Sequence, residues 1–165
     1  MKCFLKEILI CGFAAVAHMS LASGIPQFVS SLLAEMRETG ATVRGGSNSD
    51  LGVFLVGIGR TRYRHGAVGK SREIAQMHAV KAVTEALGQA FRAKDVVALQ
   101  MSATDDSSEA KAFVSSMTES SIDQLVKGIQ VVSSGKNAEG EMEVAVYLTS
   151  KMADHTSTLL EMQKQ

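Results

Sequence analysis

The chain has 165 residues, an apolar share of 45% and a formal net charge of zero, which suits a single domain with a buried core. This composition excludes wholesale disorder. The balanced charge gives no global reason to expect a nucleic acid or an acidic membrane surface as a partner. The two cysteines of the chain, Cys3 and Cys11, both lie close to its N-terminus.

The first 22 residues have the pattern of a secretory signal peptide. Lys2 and Lys6 supply the positive charge, and Ile8–Ala17 is an unbroken run of apolar and small residues. Small residues at the −3 and −1 positions predict cleavage after Ala22, with Gly24 as a second candidate site. An uncleaved membrane anchor is less favoured, because the run is about half of the ~20 residues that a spanning helix needs.

Both cysteines belong to this leader, so we expect an exported chain without a disulfide, a thiolate metal ligand or a cysteine nucleophile. Cys11 is a poor candidate for lipid attachment, because the bulky Ile10 stands where a lipoprotein signal has a small residue. We therefore predict a soluble periplasmic or secreted protein that has no stable membrane span after cleavage.

After the leader, residues 25–39 are predicted to form a helix. Pro26 suits a first helical position. Four apolar residues fall on one face of this helix, namely Val29, Leu32, Leu33 and Met36. Residues 40–50 are rich in glycine, serine and asparagine, which is typical of a loop or linker.

The apolar run Leu51–Gly59 is rich in valine, isoleucine and phenylalanine and predicts a buried strand. In the charged segment that follows, arginines 60, 62 and 64 share one side of an extended chain. We expect the strand to continue through this segment at the edge of a sheet.

Residues 71–92 form the clearest predicted helix, with Ser71 as its N-cap and Glu73 in its first turn. A stripe of small residues recurs every three or four positions and comprises Ala75, Ala79, Ala82, Ala86 and Ala90. Because small residues allow close approach, this face should lie directly against a sheet. Lys81 and Glu85 lie on the opposite, solvated face.

Asp95–Ser102 is predicted to form a second strand. A helix is predicted to begin at Ser107 or Ser108, and the secondary structure of residues 118–128 is left open by the sequence. A third strand follows Gly128, and a turn-rich segment at 133–140 joins it to a final alternating strand. The alternation places Met142, Val144, Val146 and Leu148 inward and Glu141, Glu143 and Tyr147 outward. Residues 151–165 are predicted to be a short tail helix or a frayed end.

These elements predict an α+β fold, with an antiparallel sheet of three to four strands and helices packed mainly on one face. The chain divides into a signal peptide at 1–22, an N-terminal helix and linker at 23–50, a main α+β domain at 51–150 and the tail at 151–165. The two strands joined by the turn-rich segment should form an antiparallel hairpin.

The order of these features resembles the LPP20 family of bacterial envelope lipoproteins and the related N-terminal domain of the flagellar assembly protein FlgT. The matching segments are VGIGRT at 56–61, REIAQMHAVKAVTEAL at 72–87, KGIQVVSSGKNAEG at 127–140 and EMEVAVYL at 141–148. The resemblance implies a non-catalytic envelope protein that is an accessory to a surface assembly, and it supplies no catalytic residues. The chain departs from the lipoprotein members because no cysteine stands at the expected mature N-terminus.

Two glycine motifs suggest nucleotide binding, but both are incomplete. Gly69-Lys70-Ser71 lacks the earlier glycine of a P-loop, because Arg64 occupies that position. Gly57-x-Gly59 lacks the third glycine of a dinucleotide fingerprint, because Arg62 stands there. We interpret the first motif as a helix start and the second as close packing of the strand beside the alanine stripe.

A basic segment comprises Arg60, Arg62, Arg64, Lys70 and Arg72, and it offers a candidate site for an anion or a partner. The favoured interpretation is a solvated strand edge whose charges discourage aggregation. The alternative is an anion-binding or small-ligand-binding domain, enzymatic or not, that uses this segment.

The sequence has few other residues that suggest a catalytic or metal-binding site. The histidines of the exported chain, His65, His78 and His155, lack ligand spacing and are interpreted as ordinary surface residues. No Gly-x-Ser-x-Gly element marks a nucleophile. We therefore predict no catalytic residue, no metal ligand and no cofactor. The expected role is a structural or partner-binding module of the cell envelope, with an envelope protein, another copy of itself or an anionic envelope polymer as its partner.

Overall fold

The structure, a computed structural model, describes residues 27–48, 51–101 and 107–151. The predicted signal peptide and the tail beyond residue 151 lie outside the described residues. In chain order the elements are α1 (Gln27–Thr39), β1 (Val43–Asn48), β2 (Gly52–Arg62), α2 (Val68–Ala93), α3 (Ser107–Ser116), α4 (Glu119–Lys127), β3 (Gln130–Lys136) and β4 (Glu141–Thr149). Short 3-10 turns precede and follow α2, at His65–Ala67 and Val97–Leu99.

The four strands form one antiparallel sheet in the order β1-β2-β4-β3. The α+β fold and the antiparallel sheet were predicted correctly, as was the β3–β4 hairpin. Among residues 27–48, 51–101 and 107–151, no helix has the length and apolar content that a membrane span requires.

Alternating side chains of the sheet pack into two separate apolar layers. On one face, residues such as Leu55 and Val144 form the larger core with α2, α3 and α4. On the other face, Val56 and Tyr147 pack beneath α1. Most of the described helices thus lie on one face, as predicted, and α1 covers part of the other.

The strand β1 corrects the prediction of a loop or linker at 40–50. Its glycines are required by packing, because a side chain at Gly46 would overlap the ring of Phe54 and one at Gly45 would approach the carbonyl oxygen of Leu99 to 2.7 Å. Small residues that look like loop formers in the sequence therefore allow neighbouring groups to approach a strand closely.

The predicted strand at 95–102 is also wrong. Val97–Leu99 is a 3-10 turn in which Leu99 is fully buried, and Met101 forms a single parallel bridge to Gly45. This segment lies along the outer side of β1. The outer side of β3, by contrast, is largely exposed, so the two edges of the sheet differ.

Two helix starts also differ from the sequence analysis. Helix α2 begins at Val68, so Ser71 is a buried residue inside the helix and not its N-cap. The ambiguous region at 118–128 contains α4, which has a reciprocal capping box between Thr118 and Ser121.

Candidate functional site

Helix α2 is in direct contact with the sheet at Gly57 and Gly59. A side chain at Gly59 would overlap backbone atoms of Ala75 and Ala79, and one at Gly57 would crowd Val83. Since the alanine stripe packs directly on these glycines, no cavity separates α2 from β2 at this point. The prediction of close packing at Gly57-x-Gly59 is thus confirmed.

The Gly69-Lys70-Ser71 motif forms part of the first turns of α2 and not a phosphate-binding loop. Gly69 is helical and exposed, and a side chain added there would meet no atom within 4 Å. Lys70 is also exposed. A P-loop instead wraps its backbone amides around a phosphate before the helix begins, and this segment has no such geometry.

The five residues of the basic segment differ in position and in exposure. Arg60 lies in β2 opposite Glu143, and Arg62 lies two residues further along, opposite Glu141. Arg62 and Arg64 are exposed, as are Lys70 and Arg72 in the first turns of α2. Of the five predicted site residues, Arg60 alone lines a groove that the described residues form between the end of α1 and the β3–β4 hairpin.

Arg60 belongs to a buried charge cluster that the sequence analysis missed. The side chain of Glu143 is 6% exposed and lies beneath α1. Its Oε1 accepts a hydrogen bond from Nε of Arg37 at 2.8 Å, and its Oε2 accepts one from Nε of Arg60 at 3.0 Å. Breaking such a pairing would leave buried charge uncompensated, so the cluster holds the C-terminal half of α1 on the sheet.

The cluster forms one wall of a groove of about 610 Å³ between the end of α1 and the β3–β4 hairpin. Its lining residues are Arg37, Arg60, Ser133, Ser134, Gly135, Lys136, Asn137, Ala138, Glu139, Glu141 and Glu143. The groove is partly open to solvent. Its volume lies within the range of about 300–1,000 Å³ that is usual for small-molecule sites.

Glu143 and Tyr147 were predicted to face outward, and both predictions are wrong. Both side chains lie on the face of the sheet that α1 covers, where Tyr147 is 5% exposed. Burial raises the pKa of the Tyr147 phenol above its usual value, because the charged phenolate would be desolvated. The hydroxyl has no hydrogen-bond partner among the described residues.

The described histidines are exposed, as predicted. Nδ1 of His78 lies 2.9 Å from the carbonyl oxygen of Arg60, and the ring of His65 packs edge-on against Tyr63. His155 lies outside the described residues. Within the described ranges no group of histidine, cysteine and acidic side chains could hold a metal ion.

The sequence gives little indication of the charge cluster formed by Arg37, Arg60 and Glu143. Alternation identified the two faces of β4, but it could not show that α1 covers the second face. Arg37 stands at the end of an amphipathic helix, where a cation is favourable in any case. A glutamate facing an arginine across neighbouring strands becomes visible only once the β2–β4 register is known.

Comparisons of the chain with protein-family models, with curated proteins and with solved structures found no match. The resemblance to the LPP20 family therefore remains a prediction from the sequence.

Proposed function

We propose that this chain is an exported, non-catalytic protein of the cell envelope that acts as a structural or partner-binding accessory module. The observation that carries the proposal is the exposed outer edge of β3. Backbone groups of such an edge are available to pair with a strand of another chain. The close contact of α2 with Gly57 and Gly59 supports the non-catalytic part of the proposal, because a substrate has no room between the two backbones there.

The β3 edge has the chemistry of a recognition surface. Val131 is 39% exposed, and the segment Val132-Ser133-Ser134-Gly135 that follows it carries no charge before Lys136. Small neutral side chains let a second strand approach, and the exposed valine adds apolar contact. An envelope protein or another copy of this chain would add its strand here.

The experiment is site-specific photo-crosslinking in the native envelope. A crosslinking residue at Val131, in β3 and 39% exposed, should yield one dominant adduct, whereas the same residue at Glu85, on the exposed face of α2, should yield none. Cell fractionation and sequencing of the mature N-terminus test export in parallel. Equal adducts from both positions, or a chain that stays in the cytoplasm with its leader uncleaved, would overturn the proposal.

The alternative is an anion-binding or small-ligand-binding domain that uses the Arg60–Arg72 segment. One observation favours keeping it: Arg60 lines the groove described above. Replacing Arg60, Arg62 and Arg64 together by Gln should then abolish binding to anionic envelope polymers. Binding that persists in the triple variant, or its absence in the parent protein, contradicts this alternative.

A further inference from the structure

The two arginines of the charge cluster keep most of their hydrogen-bonding capacity. Each guanidinium donates to Glu143 through Nε. The terminal nitrogens of Arg37 and Arg60 form no hydrogen bond with any residue in the described ranges. Since both residues line the groove, these planar groups supply donors for a ligand with oxygen acceptors.

Glu143 fixes these donors in place. It is almost fully buried, and it holds one guanidinium at each of its oxygens. An arginine side chain that is already immobilised loses less conformational entropy when a ligand binds. The cluster is therefore a preorganised pair of guanidinium groups at one end of an open groove.

The rest of the groove carries the opposite charge. Glu139 and Glu141 line it together with Lys136, so its acidic and basic side chains are equal in number. A dianion such as phosphate would meet two unpaired carboxylates and gain little net attraction. A ligand that carries both a carboxylate and an ammonium group can satisfy both sets of charges.

Between the charged groups lie polar neutral ones. The hydroxyls of Ser133 and Ser134 and the amide side chain of Asn137 belong to the same lining. Amide side chains and hydroxyls are suitable partners for the peptide groups of a ligand. The volume of about 610 Å³ exceeds what a single amino acid fills and fits a few linked residues.

We propose that this groove binds a short peptide through its free C-terminal carboxylate, which the guanidinium groups of Arg37 and Arg60 bind, and through an ammonium group, which Glu139 and Glu141 attract. This site goes beyond the accessory role. It uses none of the four other predicted basic residues and does not involve strand pairing at β3. The crosslinking position Val131 does not line the groove, so failure of peptide binding would leave the crosslinking test of the proposed function unaffected.

The first test is calorimetric titration of the purified protein with the tripeptide trialanine. We expect saturable binding, and we expect amidation of the C-terminus to weaken it at least about tenfold, because the lost charge-assisted bonds are the strong ones. Acetylation of the N-terminus should weaken it less, and inorganic phosphate should not compete. Absence of trialanine binding, equal binding of the amidated peptide, or competition by phosphate would each overturn the proposal.

Variants locate the site. Arg37→Gln and Arg60→Gln should each weaken trialanine binding about tenfold. Arg44→Gln, which removes an arginine paired with Glu35 outside the groove, should leave binding unchanged. If a groove variant unfolds, the comparison of free and amidated peptide on the parent protein still decides the matter. Equal losses in all three variants would contradict the assignment to this groove.

Discussion

The backbone of Gly59 in β2 lies directly against the carbonyl oxygen of Ala75 in α2, so closely that a side chain on the glycine would overlap that oxygen. Gly57 repeats the arrangement against Ala79 and Val83. The helix thus approaches the sheet at backbone distance over two turns, which only small residues on both surfaces permit.

Gly59→Ala should destabilise the protein strongly. The added methyl group meets backbone atoms of α2, which cannot rotate away, so we expect a loss of about 3 kcal/mol in the free energy of unfolding. Urea denaturation measures it. The control is Gly135→Ala in β3, where a new side chain meets no atom within 4 Å and the change should stay within about 0.5 kcal/mol. Similar losses in both variants would contradict direct helix–sheet contact.

Gly69→Ala should stabilise the protein by about 0.5–1 kcal/mol. The residue lies in the first turn of α2 with free space around it, so alanine restricts the unfolded chain and favours the helix. A thermal melt should show a higher midpoint. A lower midpoint would indicate that the Gly69-Lys70-Ser71 segment needs a backbone conformation that alanine cannot adopt.

Glu143→Gln should weaken the attachment of α1. A neutral amide cannot balance two guanidinium groups, and we expect a loss of about 2 kcal/mol, less than for a fully buried pair because the arginines are partly exposed. Hydrogen exchange of the α1 amides should accelerate. Glu85→Gln removes an exposed ion pair with Lys81 and should cost no more than about 0.5 kcal/mol. Unchanged exchange in α1 would show that its apolar contacts suffice.

Tyr147→Phe should change the pH dependence of stability. Burial raises the folded-state pKa of Tyr147 above the ordinary value of 10.0, so the phenol binds its proton more tightly in the folded state than in the unfolded one. The free energy of unfolding of the wild type should therefore fall as the pH rises above 10.0. The variant lacks the phenol and should not show this contribution to the fall. At neutral pH the variant should be as stable or about 1 kcal/mol more stable, because the hydroxyl lacks a partner among the described residues. Parallel pH profiles for both proteins would refute this.

Leu99→Ala tests whether the turn at Val97–Leu99 packs along the outer side of β1. Leu99 is fully buried against the outer side of that strand, and its truncation should cost about 3 kcal/mol. Val97, in the same 3-10 turn, is 74% exposed, so Val97→Ala should stay within about 0.5 kcal/mol. If both truncations are equally mild, the turn does not pack as described.

The periodicity of apolar and small residues was sufficient to predict the elements whose buried face is visible in their own sequence. The alanine stripe of α2 predicted both the helix and its close contact with Gly57 and Gly59. The inward set of β4, from Met142 to Leu148, was predicted for the same reason. In these elements local pattern and tertiary packing agree.

The sequence pattern was insufficient to predict the structure of segments whose conformation depends on residues distant in the chain. The glycines of β1 look like loop formers, yet Phe54 and Leu99 require them to be small. Val97–Leu99 has the composition of a strand but forms a turn because Leu99 packs into the core. The groove was missed for a similar reason, since Arg37 and Glu143 are 106 positions apart in the sequence.

The unequal edges of the sheet set a limit on how copies of this chain can associate. Among the described residues, the turn at Val97–Leu99 and the bridge from Met101 cover the outer side of β1, and the outer side of β3 is the exposed edge that a strand from another molecule can join. If two copies pair through that edge, the backbone groups of each β3 are hydrogen-bonded to the β3 of the other copy. Both ends of the joined eight-stranded sheet are then β1 edges, which are covered in the described residues. A pair joined in this way leaves no β3 edge exposed, so strand addition through the edges of the described sheet would stop at two copies.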